Sequence, residues 1–292
     1  MIHSRMMVRE IFERAVTRLP PRRGSGDRLI INYHNVVPDD AAIEGDRSLH
    51  ISRGTFASHL DVLTTRATIV PLEELVADTE STKCLAAITF DDAYEAALQY
   101  GVSLCSERRL PCTVFVAPSL LGSIPVWDRR AAASRWSEAE RKLFLERDFG
   151  RDLADLPDSS AQPLCRIAVM SQLAEAADAF PNMRLGAHTM THCNLGALDD
   201  DDALAEIHES ILWVGRHFPA HSIRAIAYPY GIVPSLRVRA ALDAASILGL
   251  RNDGGWATKG RPFPRANFPR WNVTSGLSQN GFRIRLHGWK TV

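Results

Sequence analysis

Short runs of apolar, β-favouring residues, separated by longer segments of helical period, constrain this chain more than any other feature. The runs are 29–33, 86–90, 113–117, 184–187, 223–228, 246–250 and 271–273. Most are apolar throughout, the pattern of parallel strands buried on both faces. Between them Phe56, Leu60 and Leu63 recur at helical spacing, as do Leu204, Ile207, Ile211 and Leu212, and both sets read as packing faces. Asp199 to Asp202 precede the second stripe, where carboxylates cap a helix and complement its dipole. This alternation predicts an α/β fold, an irregular (β/α) barrel of about seven strands related to the TIM barrel. A doubly wound open sheet is the alternative.

A barrel of this kind accommodates most of the 292 residues as one domain, here 28–292, behind a basic helical extension at 1–27. The span 122–163, with Trp127, Trp136 and a predicted helix at 137–147, breaks the rhythm and reads as an insertion over one barrel face. Thirty-four basic and thirty-four acidic residues cancel, removing the positive footprint of a nucleic-acid binder. A neutral substrate fits better. The five cysteines lack any paired spacing, so neither a disulfide framework nor a zinc-thiolate site is expected. No apolar stretch has the length of a signal-peptide core or a transmembrane span, which points to a cytoplasmic protein. Peripheral membrane contact through the N-terminal helix is the one membrane role left open. Oligomeric state is not legible.

In β/α barrels the reactive groups leave the C-terminal ends of strands. His34 follows the first run, Asp91 and Asp92 the second, His188 and His192 the fourth, and Pro229, Tyr230 and Gly231 the fifth. All would meet at one mouth. Adjacent carboxylates diverge from a strand end, so one can bind a metal while the other addresses water on it. Histidines four apart can share a cation, and Asp92, His188 and His192 together make a ligand set with open positions. Taken singly, an Asp-Asp pair is more often a cap and a histidine pair more often no ligand. Their shared position at strand ends favours the site. Tyr230, Trp127 and Trp256 offer ring faces for a sugar, with core packing as the alternative.

These residues resemble the polysaccharide deacetylases, the NodB-homology carbohydrate esterases. Thr89-Phe90-Asp91-Asp92 matches that family's first motif and His188-Thr189-Met190-Thr191-His192 its second, while Tyr228-Pro229-Tyr230-Gly231 resembles the third. The resemblance implies that Asp92, His188 and His192 bind one divalent metal, usually Zn2+, and that Asp91 is the general base. It also implies a Tyr230 backbone donor for the oxyanion and an acetylated saccharide as substrate, with acetate released. Many members carry the general acid in a C-terminal Leu-x-His motif, but Leu286-His287 lacks the intervening residue. A branch with permuted barrel order carries it in an N-terminal Tyr-His context, like Tyr33-His34, so His34 is preferred to His287. Ala227 stands where many relatives have a base-orienting arginine, and Arg270, in Pro269-Arg270, takes that role by resemblance. Hydrolysis of another small amide or cyclic imide, and carbohydrate binding without catalysis, are the competing functions.

Overall fold

Every apolar run picked out above forms a strand, with ends displaced by no more than two residues. The computed structural model describes residues 26–43, 45–77, 81–129, 163–258 and 263–288. Nearly all of the expected N-terminal extension and most of the 122–163 insertion, including Trp136 and the 137–147 helix, lie outside the described residues. The strands are β1 (Arg28–Tyr33), β2 (Asn35–Val37), β3 (His50–Ser52), β4 (Thr68–Ile69), β5 (Leu85–Phe90), β6 (Cys112–Val116), β7 (Met183–Ala187), β8 (Ser222–Ala227), β9 (Leu248–Arg251), β10 (Trp256–Ala257), β11 (Phe268–Pro269) and β12 (Trp271–Asn272).

Strands β1, β5, β6, β7, β8 and β9 pair in that order, all parallel. The seventh stave is broken. β11 pairs with β9 and β12 pairs with β1, both parallel, with Arg270 alone between them. One interrupted strand therefore joins the two edges of the sheet into a nearly closed barrel, rather than an open doubly wound sheet.

Period-two alternation sorts the side chains. Ile30, Ala87, Phe115, Ala225, Ala227, Leu248 and Leu250 form one buried cluster inside the barrel, while Leu29, Ile31, Ile88, Phe90, Val114 and Leu185 pack outward under the helices. Gly186 faces inward, and a Cβ there would come 2.4 Å from the Phe115 ring. The interior is filled, and a polar cluster forms at its upper end, where Asn32 and Thr89 follow Ile30 and Ala87 in the alternation.

The helix Arg53–Thr64 is capped by Ser52, which accepts from the Thr55 N–H, and buries Phe56, Leu60 and Leu63 as expected, with His59 beside them. In Asp200–His217 the N-cap is Asp199, which accepts from the Asp201 and Asp202 N–H groups. Its buried face is Ala203, Ile207, Ser210 and Val214. Leu212, placed on that face from the sequence, is 54% exposed. Five residues after Ile207 it has turned about 140° around the helix. The five cysteines form no disulfide. Among the described residues no helix is long and apolar enough to cross a membrane.

Candidate metal centre and active site

Parallel strands deliver their C-terminal ends to one rim. Tyr33 pairs with Phe90, and the Asp91 N–H donates to the Tyr33 carbonyl at 2.9 Å, so the residues leaving β1 and β5 emerge side by side. His188 leaves β7 with its N–H on the Val116 carbonyl at the end of β6. A single 3-10 turn, Pro229–Gly231, leaves β8. Asp92, Ala93, Thr189, His192 and Tyr230 all take left-handed backbone with φ between 58° and 70°. That conformation is unfavourable for side chains of L residues and persists where surrounding contacts enforce it.

Asp92, His188 and His192 meet with their ligand atoms within 4.8 Å of one another, each nearly or fully buried. Asp92 Oδ1 lies 3.4 Å from His188 Nε2 and 3.2 Å from His192 Nε2, yet it makes no hydrogen bond of acceptable geometry. His188 Nδ1 is 2.8 Å from the Ala227 carbonyl, which can only accept. The proton therefore sits on Nδ1, and Nε2 carries a lone pair directed at Asp92. His192 Nδ1 meets the Tyr230 hydroxyl at 3.2 Å. A buried carboxylate oxygen without a donor, facing two imidazole nitrogens, fits a shared divalent cation. Burial acts to raise the Asp92 carboxyl, but the two histidines outweigh it and hold it far below the usual carboxylate range. Burial acts to lower the imidazole of His188, while Asp91 and Asp92 raise it overall; for His192 burial prevails and lowers it.

Asp91 is 1% exposed and Arg270 not at all. Arg270 approaches as a fork, NH1 to Oδ1 at 2.7 Å and NH2 to Oδ2 at 2.8 Å. Burial would raise the Asp91 carboxyl, and the guanidinium reverses that and lowers it. Alternation along the interrupted stave explains how Arg270 gets there: Phe268, two residues earlier, packs in the inner cluster and Trp271 in the outer one, so Arg270 points into the barrel, over the Phe115 ring at 5.4 Å. Asn32, not singled out from the sequence, completes the group. Its Nδ2 donates to Asp91 Oδ2 at 2.9 Å, and its Oδ1 accepts from Arg270 at 3.1 Å and from the Thr89 hydroxyl at 2.9 Å. The signal was present, because Asn32 precedes His34 by two and so shares its face. His34 is partly exposed at the rim. Burial of its ring lowers its pKa, against the opposing pull of Asp92 and Asp91.

The aromatic expectations divide. Tyr230 and Trp127 both border the centre, with Trp127 4.6 Å and Tyr230 4.9 Å from the His192 ring, centroid to centroid. Trp127 is only 7% exposed, and its Nε1 donates to the Tyr94 hydroxyl at 2.8 Å. It supports His192 more than it offers a free face. Trp256 is at the wrong end: it lies in β10, which runs antiparallel to β1 and pairs with Leu29 at that strand's start, and its Nε1 donates to the Arg285 carbonyl. His287 is likewise remote from the rim, hydrogen-bonded to Arg66 just before β4, which pairs with the beginning of β5.

A second group, His50, Asp128 and Cys165, also has metal-like spacing. Its hydrogen bonds argue otherwise. Asn35 Nδ2 donates to the Leu164 carbonyl at 2.7 Å and lies 3.0 Å from His50 Nδ1, so an amide donor faces that nitrogen. The His50 proton then sits on Nε2, 3.0 Å from Asp128 Oδ1, where a metal would need a lone pair. Asp128 also accepts from the Asp46 N–H and the Tyr94 hydroxyl, both at 2.7 Å. This is a hydrogen-bond node.

A family model described as polysaccharide deacetylase matches residues 78–252, a span holding Asp91, Asp92, His188, His192 and Tyr230. The chain belongs to the polysaccharide deacetylase family. This polysaccharide deacetylase is thereby a metal-dependent hydrolase of carbon–nitrogen bonds other than peptide bonds, with an acetylated saccharide as its substrate class. Solved structures share its fold. A deacetylase of Streptococcus pyogenes, PplD, determined in complex with acetate, is 17% identical over 88% of this chain and 96% of its own, with TM-score 0.60. IcaB from Ammonifex degensii is 18% identical over 91% and 98%, with TM-score 0.61. A polysaccharide deacetylase from Bacillus cereus is 16% identical over 90% and 69%, also with TM-score 0.61. No curated protein sequence matches this chain significantly.

Proposed function

We propose that this polysaccharide deacetylase removes the acetyl group from an N-acetylated sugar unit using one cation on Asp92, His188 and His192. The carrying observation is Asp92 Oδ1, buried without a hydrogen bond between two histidine Nε2 atoms. One carboxylate and two imidazoles leave ligand positions open and suit Zn2+. When bound, such an ion polarises the acetamide carbonyl and makes a water acidic enough to attack near neutral pH.

Asp91 takes the proton of the attacking water. A carboxylate offers about four lone-pair sites; Arg270 occupies one on each oxygen and Asn32 a second on Oδ2, so Oδ1 retains one for that proton. Arg270 keeps Asp91 ionised and fixes its plane. As negative charge builds on the attacked carbonyl it raises the proton affinity of His34, which takes up a proton from solvent at the rim and passes it to the departing amine. The Tyr230 N–H, on a peptide set by Pro229 and the left-handed φ of 59°, donates to the developing oxyanion. Trp127 and Tyr230 wall the acetyl side; Trp256 has no part.

Zinc-loaded protein is expected to release acetate from N-acetylglucosamine oligomers, to stop on chelation and to resume when zinc returns. Asp91→Asn should cost about 10²- to 10⁴-fold in kcat. Hydrolysis of cyclic imides or small amides, with acetylated saccharides untouched, overturns the sugar assignment.

A further inference from the structure

The second and third residues after His188 are held by a side chain from elsewhere in the molecule. Glu206 Oε2 accepts from the Met190 N–H at 2.8 Å and the Thr191 N–H at 3.0 Å, and its Oε1 accepts from the Thr191 hydroxyl at 3.0 Å. We propose that Glu206 is a positioning residue for the metal centre, setting where His192 stands relative to His188. The proposal rests on the reading of Asp92, His188 and His192 as the ligand set.

The segment from His188 to His192 is an irregular loop, not a helical turn, so no ladder of main-chain bonds spaces its two histidines. His188 is anchored independently, through its own N–H on Val116 and its Nδ1 on Ala227. His192 is not tied to a strand. Its place depends on the course of the loop, which passes through left-handed backbone at Thr189 (φ 61°) and at His192 itself (φ 58°). A loop with two such residues relaxes unless something outside it holds the intervening peptides. Glu206 does so from a rigid base. It lies one residue before Ile207, which is fully buried in the helix Asp200–His217, so its carboxylate is presented from a packed element. The Met190 carbonyl accepts from the Ser119 N–H at 3.0 Å, which holds the same peptide region from the other side.

The three hydrogen bonds, rather than the charge, carry the role. Glu206→Gln keeps them: its oxygen can take both backbone N–H groups, and its amide can donate to Thr191 Oγ1 once that hydroxyl rotates. Glu206→Ala removes all three. Zinc affinity, read by competition with a chromogenic chelator on metal-stripped full-length protein, is expected to stay within roughly threefold of the parent for Glu206→Gln. For Glu206→Ala it should weaken about 10- to 100-fold, the usual loss when a group supporting a metal ligand is removed. The metal-free melting temperatures of parent and variants report on folding separately. A folded Glu206→Ala that binds zinc as tightly as the parent overturns the proposal, as does a Glu206→Gln that loses as much as Glu206→Ala. If Glu206→Ala does not fold, Glu206→Asp decides: one methylene shorter, it cannot reach all three donors, so it must weaken zinc binding, and unchanged affinity overturns the proposal. A parent protein that binds no zinc refutes the ligand-set reading instead.

Discussion

Asp91 and Asp92 are neighbours in sequence with opposite surroundings, and that difference suits them to the different work proposed for them. Asp92 faces two imidazoles; Asp91 faces a guanidinium and an amide. Arg270→Met should therefore do more to Asp91 than delete a contact. With the guanidinium gone, burial is opposed only by His188, His34 and the Asn32 amide, and the Asp91 carboxyl rises, so a larger share is protonated near neutral pH. In the pH dependence of kcat/KM for acetate release the acid limb is expected to move to higher pH. Folding stability should drop by about 3–5 kcal/mol, the usual cost of leaving a buried charge without its partner. Arg270→Lys rescues this only in part, because an ammonium cannot reproduce the two parallel bonds. An acid limb that stays in place in Arg270→Met would separate Arg270 from the state of the base. The proposed ligand set was legible because Asp92 and His188 stand within two residues of the end of an apolar run and His192 follows four residues after His188. Glu206 and Tyr94 were not, since both act through hydrogen bonds that exist only once separate elements pack.

At the level of elements, strands were easier to read than helix faces. A strand buried on both sides shows as an apolar run, whereas a helix face must be told apart by angle, which is how Leu212 came to be misplaced. The seventh stave was half visible: 271–273 reads as a strand, but Pro269 and Arg270 hide its first half. Trp256 was misread because an aromatic residue offered as a sugar-facing ring carries no sign of which end of the barrel its strand reaches, and β10 pairs with the start of β1. The inward face of β7 carries a further prediction. Gly186→Ala places a methyl 2.4 Å from the Phe115 ring, which is enclosed by the barrel and lies under Arg270. Overpacking of this kind costs about 1–3 kcal/mol. Urea unfolding should show it as a lower midpoint. Adding Phe115→Leu should recover part of the loss, giving a favourable coupling in the double-mutant cycle. A Gly186→Ala midpoint equal to that of the parent would mean that the interior holds more slack than its packing indicates.

For the whole molecule, acid should act on the core as well as on the active site, and His59 is where it enters. His59 is 1% exposed, stacked on Phe282 with centroids 3.9 Å apart, and its Nε2 is buried without a hydrogen bond. Burial lowers its pKa to about 4 from 6.5. Above pH 6.5 the imidazole is neutral in both folded and unfolded chains and contributes no pH dependence. As pH falls from 6.5 towards 4, the unfolded chain takes up a proton that the folded one excludes, so stability declines through that window and levels off below it. The full difference is about 3 kcal/mol at 1.36 kcal/mol per unit. Carboxylates and the metal-centre histidines titrate too, so the comparison is parent against His59→Leu, both stripped of metal, in denaturant unfolding at a series of pH values. The two stability curves should run parallel above pH 6.5 and converge or cross towards pH 4, as the parent loses the His59 contribution on top of the losses both proteins share. Curves that stay parallel down to pH 4 would show that His59 protonates within the fold at little cost, and that the contact between helix Arg53–Thr64 and helix Gln279–Leu286 opens to admit water.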